Sequence, residues 1–223
     1  LKDLAAAYGR PSVQSSIIAP LPGSSSLYYL FTTGTAFRYS IVDMNLDGGF
    51  GDVTGSKNLL LHSQGTEELA GTLHCNGTEY WIIGRQSVLD TLRFYSYLLT
   101  ETGLAAPVIS EFPLPNPIWN TVGCLTLSQQ GDLMVFSSFG SPIILFDFDQ
   151  ETGELSFRDS ISSYLNENVY SNCLSPNAAR LYVTSWMPGE CWLSQFDLSV
   201  ADISSSRVNI DSVDFSLGSP NGY

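Results

Sequence analysis

His62 and His74 are the only imidazoles in this chain of 223 residues. Neither stands in an HExxH pair, a GxSxG elbow or any other spacing that sets a base beside a nucleophile, so both read as structural. Glu67 and Glu68 are adjacent, which on a strand sends their side chains to opposite faces and separates them as an acid–base couple. Asp147 and Asp149 do share a face. Asp43 and Asp197 recur near the ends of the corresponding runs elsewhere, so repetition explains that pair better than general acid–base chemistry. The run Asp43-Met44-Asn45-Leu46-Asp47-Gly48 matches the first half of an oxygen-rich cation loop, in which alternate side chains wrap a hard ion. Thr54 occupies the twelfth position, where such a loop needs a bidentate acid, and Asp52 is the one extra ligand nearby. The loop therefore reads first as a solvated turn. Calcium on Asp43, Asn45, Asp47 and Asp52 is the metal alternative, and no other cofactor is expected.

Binding chemistry has two further candidates. Trp119 and Trp186 sit near Pro, Asn or Gly, Trp186 at the last position of its expected run, where an indole would be free to stack on a ligand, whereas Trp81 reads as core. Asp90-Thr91-Leu92, Asp159-Ser160-Ile161 and Asp211-Ser212-Val213 have the Asp-Ser/Thr-aliphatic form of bacterial O-glycan sites, with Thr91, Ser160 and Ser212 as acceptors. Cys75, Cys124, Cys173 and Cys191 lack CxxC spacing, so they read as small buried hydrophobes. A Cys173–Cys191 disulfide is the alternative.

The elements that carry these residues repeat. Leu73-His74-Cys75-Asn76-Gly77-Thr78-Glu79-Tyr80-Trp81 joins two apolar runs through Asn-Gly, the signal for a two-residue type I′ hairpin. Related turns fall at Gly23, Gly131, Ala178 and Gly222, giving steps of 54, 54, 47 and 44 residues. A period of this length with several short strands per unit predicts propeller blades. The expected strands cover 16–20, 27–32, 37–44 and 57–62 in a first blade (15–66), and 68–73, 79–84, 92–100 and 107–112 in a second (67–115). They continue over 121–127, 133–137, 143–148 and 154–158 in a third (119–162), and over 169–174, 181–186, 192–198 and 207–213 in a fourth (167–215). Residues 1–14 read as the remnant of a preceding blade and 216–223 as the start of another. The fold class is thus all-β, with about four four-stranded blades belonging to a larger propeller of about seven. Only 160–166 offers a helical turn.

Composition excludes some partners. With 43% hydrophobic and 14% charged residues the chain can build a core, and its formal charge of −13 opposes nucleic acid and anionic membranes. No apolar run is long enough to insert in a membrane as a helix.

The segments Val13-Gln14-Ser15-Ser16-Ile17-Ile18-Ala19-Pro20-Leu21-Pro22-Gly23, Leu27-Tyr28-Tyr29-Leu30-Phe31-Thr32, Arg38-Tyr39-Ser40-Ile41-Val42-Asp43-Met44 and Leu46-Asp47-Gly48-Gly49-Phe50-Gly51-Asp52-Val53 resemble a known family. It is the β-propeller region of large secreted surface proteins of gliding bacteria that use the type IX route. The resemblance covers most of 11–198 and implies an extracellular, cell-surface location, further blades on both sides and no carried-over catalytic residues. The function expected from it is a non-catalytic binding or adhesion module, not an enzyme, whose partner is a protein or glycan at the cell surface. Self-association into a structural surface component is one alternative, and a lactonase-like propeller hydrolase is another.

Overall fold

The computed structural model describes residues 14–114, 118, 120–161 and 168–214. Four antiparallel sheets follow one another along the chain. The first contains β1 (Ser16–Pro20), β2 (Leu27–Thr32), β3 (Ala36–Asp43), the two-residue β4 (Asp52–Val53) and β5 (Leu59–Ser63). The second contains β6 (Gly65–Leu73), β7 (Tyr80–Val88), β8 (Thr91–Thr100), β9 (Gly103–Leu104) and β10 (Val108–Pro113). The third runs β11 (Gly123–Leu127), β12 (Leu133–Ser138), β13 (Ile143–Phe148) and β14 (Leu155–Ile161). The fourth runs β15 (Asn168–Leu174), β16 (Arg180–Met187), β17 (Glu190–Asp197) and β18 (Val208–Asp214). Each is a blade-like meander with four principal strands, as the repeat predicts. All sixteen expected strands are present, with ends displaced by a few residues.

The recurring turn has a common geometry. Gly77, Gly131 and Ala178 each donate a backbone N–H to the carbonyl three residues back, and each has positive φ, as Gly23 does in the first turn. Asn76 does not share that φ, so the Asn-Gly turn is not type I′. It is a type I turn closed by one left-handed residue inside a longer loop, anchored by Asn76 Oδ1 accepting from the Thr78 and Glu79 amides.

The chain divides into two compact units, one of Leu1–Val122 with Phe148–Ser156 and one of Gly123–Asp147 with Phe157–Tyr223. In the first, Phe31, Phe37, Phe94 and Leu99 on β2, β3 and β8 have no exposed surface, and since Phe94 and Leu99 lie on opposite faces of β8, both faces of that strand are covered. Complete burial of one such side chain stabilises by about 1.5–3 kcal/mol. Trp81 belongs to this interior: it is buried, its Nε1 donates to the Gln150 carbonyl at 2.9 Å, and its ring lies across Gly153. A Cβ on Gly153 would come within 2.4 Å of the indole, and its φ is +78°, so glycine is required there twice over. In the second unit Leu133, Val135, Leu145, Ile161, Val169, Leu181 and Phe196 form the core.

Three expectations are corrected here. Ser160 lies on β14 rather than on a helical turn, and 162–166 fall outside the described residues. The described helical pieces are three-residue 3-10 turns at Asp47–Gly49 and Ser204–Ser206. Of the four cysteines only Cys124 is buried, and all are free. Cys173 and Cys191 cannot pair because β16 lies between their strands, and two inter-strand spacings of about 4.8 Å exceed disulfide reach.

Candidate active site

The most unusual chemistry in the first unit lies where β6 begins. Along the β6–β7 ladder Gly65 pairs with Gln86 and Leu69 with Gly84. Thr66, Glu67 and Glu68 therefore stand opposite Arg85 alone. Three residues facing one cannot keep strict alternation, and both glutamates are buried at this bulge. Glu67 retains 7% exposure and Glu68 none.

Arg85 has the counter-charge. Its Nε and Nη2 donate to Glu68 Oε1 at 3.2 and 2.9 Å, with neither side chain exposed. Nη2 also donates to the Asn120 carbonyl at 3.0 Å. Removing both charges from water costs several kcal/mol per ion, which close geometry and added hydrogen bonds offset. The bulge is pinned on every side: Thr66 Oγ1 donates to the Arg85 carbonyl at 3.2 Å, Thr33 Oγ1 to the Thr66 carbonyl, and the Glu67 amide to the Thr121 carbonyl at 3.0 Å. Glu68 Oε2 is buried with no hydrogen-bond partner among the described residues, leaving one acceptor open beside a fixed cation.

His62, on β5, joins the same cluster. Its Nδ1 is 3.2 Å from the Tyr97 hydroxyl and its ring stacks on Tyr95 with centroids 4.4 Å apart. Burial lowers its pKa to about 4, with the Arg85 carbonyl partly opposing that, so the imidazole is neutral at pH 7. Burial also raises the Tyr97 hydroxyl, with the neighbouring Tyr95 adding to the effect. The site thus gathers a neutral imidazole and a guanidinium fixed by one carboxylate, with a second buried glutamate, Glu67, at the same bulge. Such a set can bind hydroxyl groups and accept a proton.

The residues singled out from sequence lie elsewhere. Trp119 falls outside the described residues. Trp186 lies near the end of β16, opposite Cys191 and Asn168, with 43% of its surface exposed. Asp43 and Asp52 are cross-strand partners, yet Asp43 Oδ1 accepts from the Asn45 amide at 2.9 Å and Asp52 Oδ1 from the Val53 amide at 2.7 Å. Asp47 opens a 3-10 turn, and among the described residues no three His, Cys, Asp or Glu side chains gather as a metal site. The turn reading accounts for these contacts. Thr91 starts β8 with its hydroxyl on Asp90 at 3.2 Å, while Ser160 and Ser212 are exposed on β14 and β18. Asp147 pairs with Arg158 at 3.3 Å. Asp149 caps its own turn, and the Glu151 amide bonded to it holds its carboxyl below the ordinary value. Arg85 went unnoticed because a single arginine in an apolar run has no motif. The one available signal was a charge within Ile82-Ile83-Gly84-Arg85 that a buried strand must neutralise.

Neither a protein-family model nor a curated protein matches the chain. Solved structures do. A protein of Lactobacillus plantarum matches 85% of this chain with a TM-score of 0.55 at 17% identity. A Bacteroides fragilis protein provisionally named a 6-phosphogluconolactonase matches 90% with a TM-score of 0.51 at 12% identity. The periplasmic gluconolactonase of Pseudomonas aeruginosa matches 88% with a TM-score of 0.50 at 12% identity. This chain spans 54%, 54% and 56% of those chains, a little over half of each. At such identities the likeness shows the fold, an all-β propeller of lactonase-like type. It also corrects the functional expectation. The readings as a non-catalytic adhesion module and as no enzyme are overturned, because structures named as lactonases favour the lactonase-like alternative.

Proposed function

We propose that the protein is a lactonase-like propeller hydrolase that opens a sugar lactone. The observation that carries this reading is the likeness to propellers named as lactonases over 88–90% of the chain. The β6 bulge supplies groups suited to the reaction. Glu67, a residue that is 7% exposed, takes a proton from water as the water oxygen bonds to the lactone carbonyl carbon. The ring C–O bond then breaks, and that proton passes to the departing ring oxygen, giving the open hydroxy acid. Glu68 and Arg85 have essentially no exposed surface, so they act as positioning residues that hold the bulge and its field.

Hydrolysis of D-glucono-1,5-lactone in a pH-stat tests this. The purified protein is expected to exceed the buffer rate, and Glu67→Gln to lose about 100-fold or more of kcat with its fold retained by circular dichroism. A wild-type rate equal to buffer overturns the reading.

Export from the cytoplasm belongs to the same proposal, supported by the periplasmic neighbour and by the resemblance to secreted propellers. Cell fractionation checks it, and recovery in the cytoplasm alone would count against it.

A further inference from the structure

We infer that the second unit carries a binding cleft for an apolar α-amino acid, held as its zwitterion. Every residue that lines the cleft belongs to that unit, so it is separate from the β6 bulge and from the hydrolase reading.

The turn at 175–180 and the chain leaving β17 both present small residues where they pass the start of β12. Ala178, Ala179 and Ser199 have little side chain to fill the space, and a cleft of about 290 Å³ remains beside Leu133 on β12 and Leu145 on β13. Leu198 and Ile203 complete its apolar lining. That is room for a small molecule.

Two charges line the same cleft. Asp132 precedes β12 and is exposed; Ser128 Oγ donates to its Oδ1 at 2.7 Å and accepts from its amide at 3.1 Å, which fixes the carboxylate. Arg158 stands on β14 and reaches to β13, where its Nη1 meets Asp147 Oδ1 at 3.3 Å. Asp147 pairs with Leu133, the residue after Asp132, so the guanidinium is brought about one inter-strand spacing, about 4.8 Å, from the strand that Asp132 leads into. A guanidinium has five N–H donors, and with the Arg158 side chain 48% exposed, Asp147 leaves part of the fork open to a ligand.

An acid, a base and an aliphatic floor match the three parts of an apolar amino acid. Its ammonium meets Asp132, its carboxylate the Arg158 fork, and its side chain covers Leu133 and Leu145. A simple carboxylate would forgo Asp132 and face the repulsion of a chain with formal charge −13, whereas a simple amine would forgo Arg158. The zwitterion is neutral and uses both.

Calorimetric titration of the purified protein at low salt with L-leucine, glycine, N-acetyl-L-leucine and L-leucinamide tests this. Leucine is expected to bind at least about 10-fold more tightly than each of the other three, which lack in turn the apolar side chain, the cation and the anion. Asp132→Asn keeps an acceptor for Ser128, and the half-exposed Asp147–Arg158 pair adds little stability, so Asp132→Asn and Arg158→Gln are expected to fold. The first should erase the preference over N-acetyl-leucine and the second that over leucinamide. Absence of saturable leucine binding at millimolar concentration overturns the inference, and so does equal binding of glycine or of either capped form. Those outcomes are read on the unaltered protein and hold even where a variant fails to fold.

Discussion

The two units solve one problem differently. Each buries polar groups on the first strand of a sheet, but in the first unit the group is an ion pair, Glu68 with Arg85, and in the second it is the neutral amide of Asn172. Asn172 Nδ2 donates to Ser137 Oγ at 2.8 Å and to the Cys124 carbonyl at 3.3 Å. Its own carbonyl accepts from Thr126 Oγ1 at 3.1 Å. Those bonds tie β15 to β11 and β12, and the β15–β16 ladder beside them carries one extra residue between Val169 and Ser171. The ion pair is accompanied by a three-against-one bulge and a buried neutral histidine. An amide bridge is sufficient to register strands. A fully desolvated charge pair beside a second buried glutamate is more than registration requires, and its place at a bulge makes it the candidate site of the first unit.

The sharpest way to break this contrast is to remove one charge. Arg85→Ala strands a buried carboxylate and is expected to cost about 3–5 kcal/mol, read as a lower urea midpoint. The double variant Glu68→Leu/Arg85→Met is expected to recover most of that loss while leaving lactone turnover impaired. Recovery of both stability and turnover would mean the pair is scaffold only.

Acid comes next, and it acts through the first unit. His62 has a pKa of about 4 in the fold against 6.5 unfolded, so between those values the unfolded chain binds more protons. Stability is therefore full above about pH 6.5, falls by about 3 kcal/mol as pH drops to about 4, and levels off below. Urea midpoints across that window check this, and His62→Gln should flatten the His62-dependent part of the slope.

The smallest effect belongs to the neutral bridge. Asn172→Ala is expected to cost about 1–3 kcal/mol with no change in lactone turnover. A loss matching that of Arg85→Ala would erase the distinction between the units.

Much of the architecture was legible in the order of residues, because a half-buried strand must alternate and a tight turn must place a residue at positive φ. The runs at 27–32 and 143–148 match β2 and β13 end to end, and Gly23, Gly77, Gly131 and Ala178 all mark turns. The site was not legible. The expected strands stopped at Gly84 and began at Glu68, since glycine and charge look like ends, whereas β7 continues through Arg85 and β6 already includes Glu67. The expected run at 181–186 stopped at Trp186, ahead of the Pro-Gly that follows Met187, whereas β16 reaches Met187 itself.

By itself, then, the sequence determined the repeat, the strands and the turns, which depend on local backbone preference and on which side chains avoid water. Only the tertiary structure decided that Glu68 meets Arg85, that Glu67 is buried at the same bulge and that His62 is neutral. Those outcomes depend on a register irregularity between two strands and on burial, and neither is written in the spacing of residues along the chain.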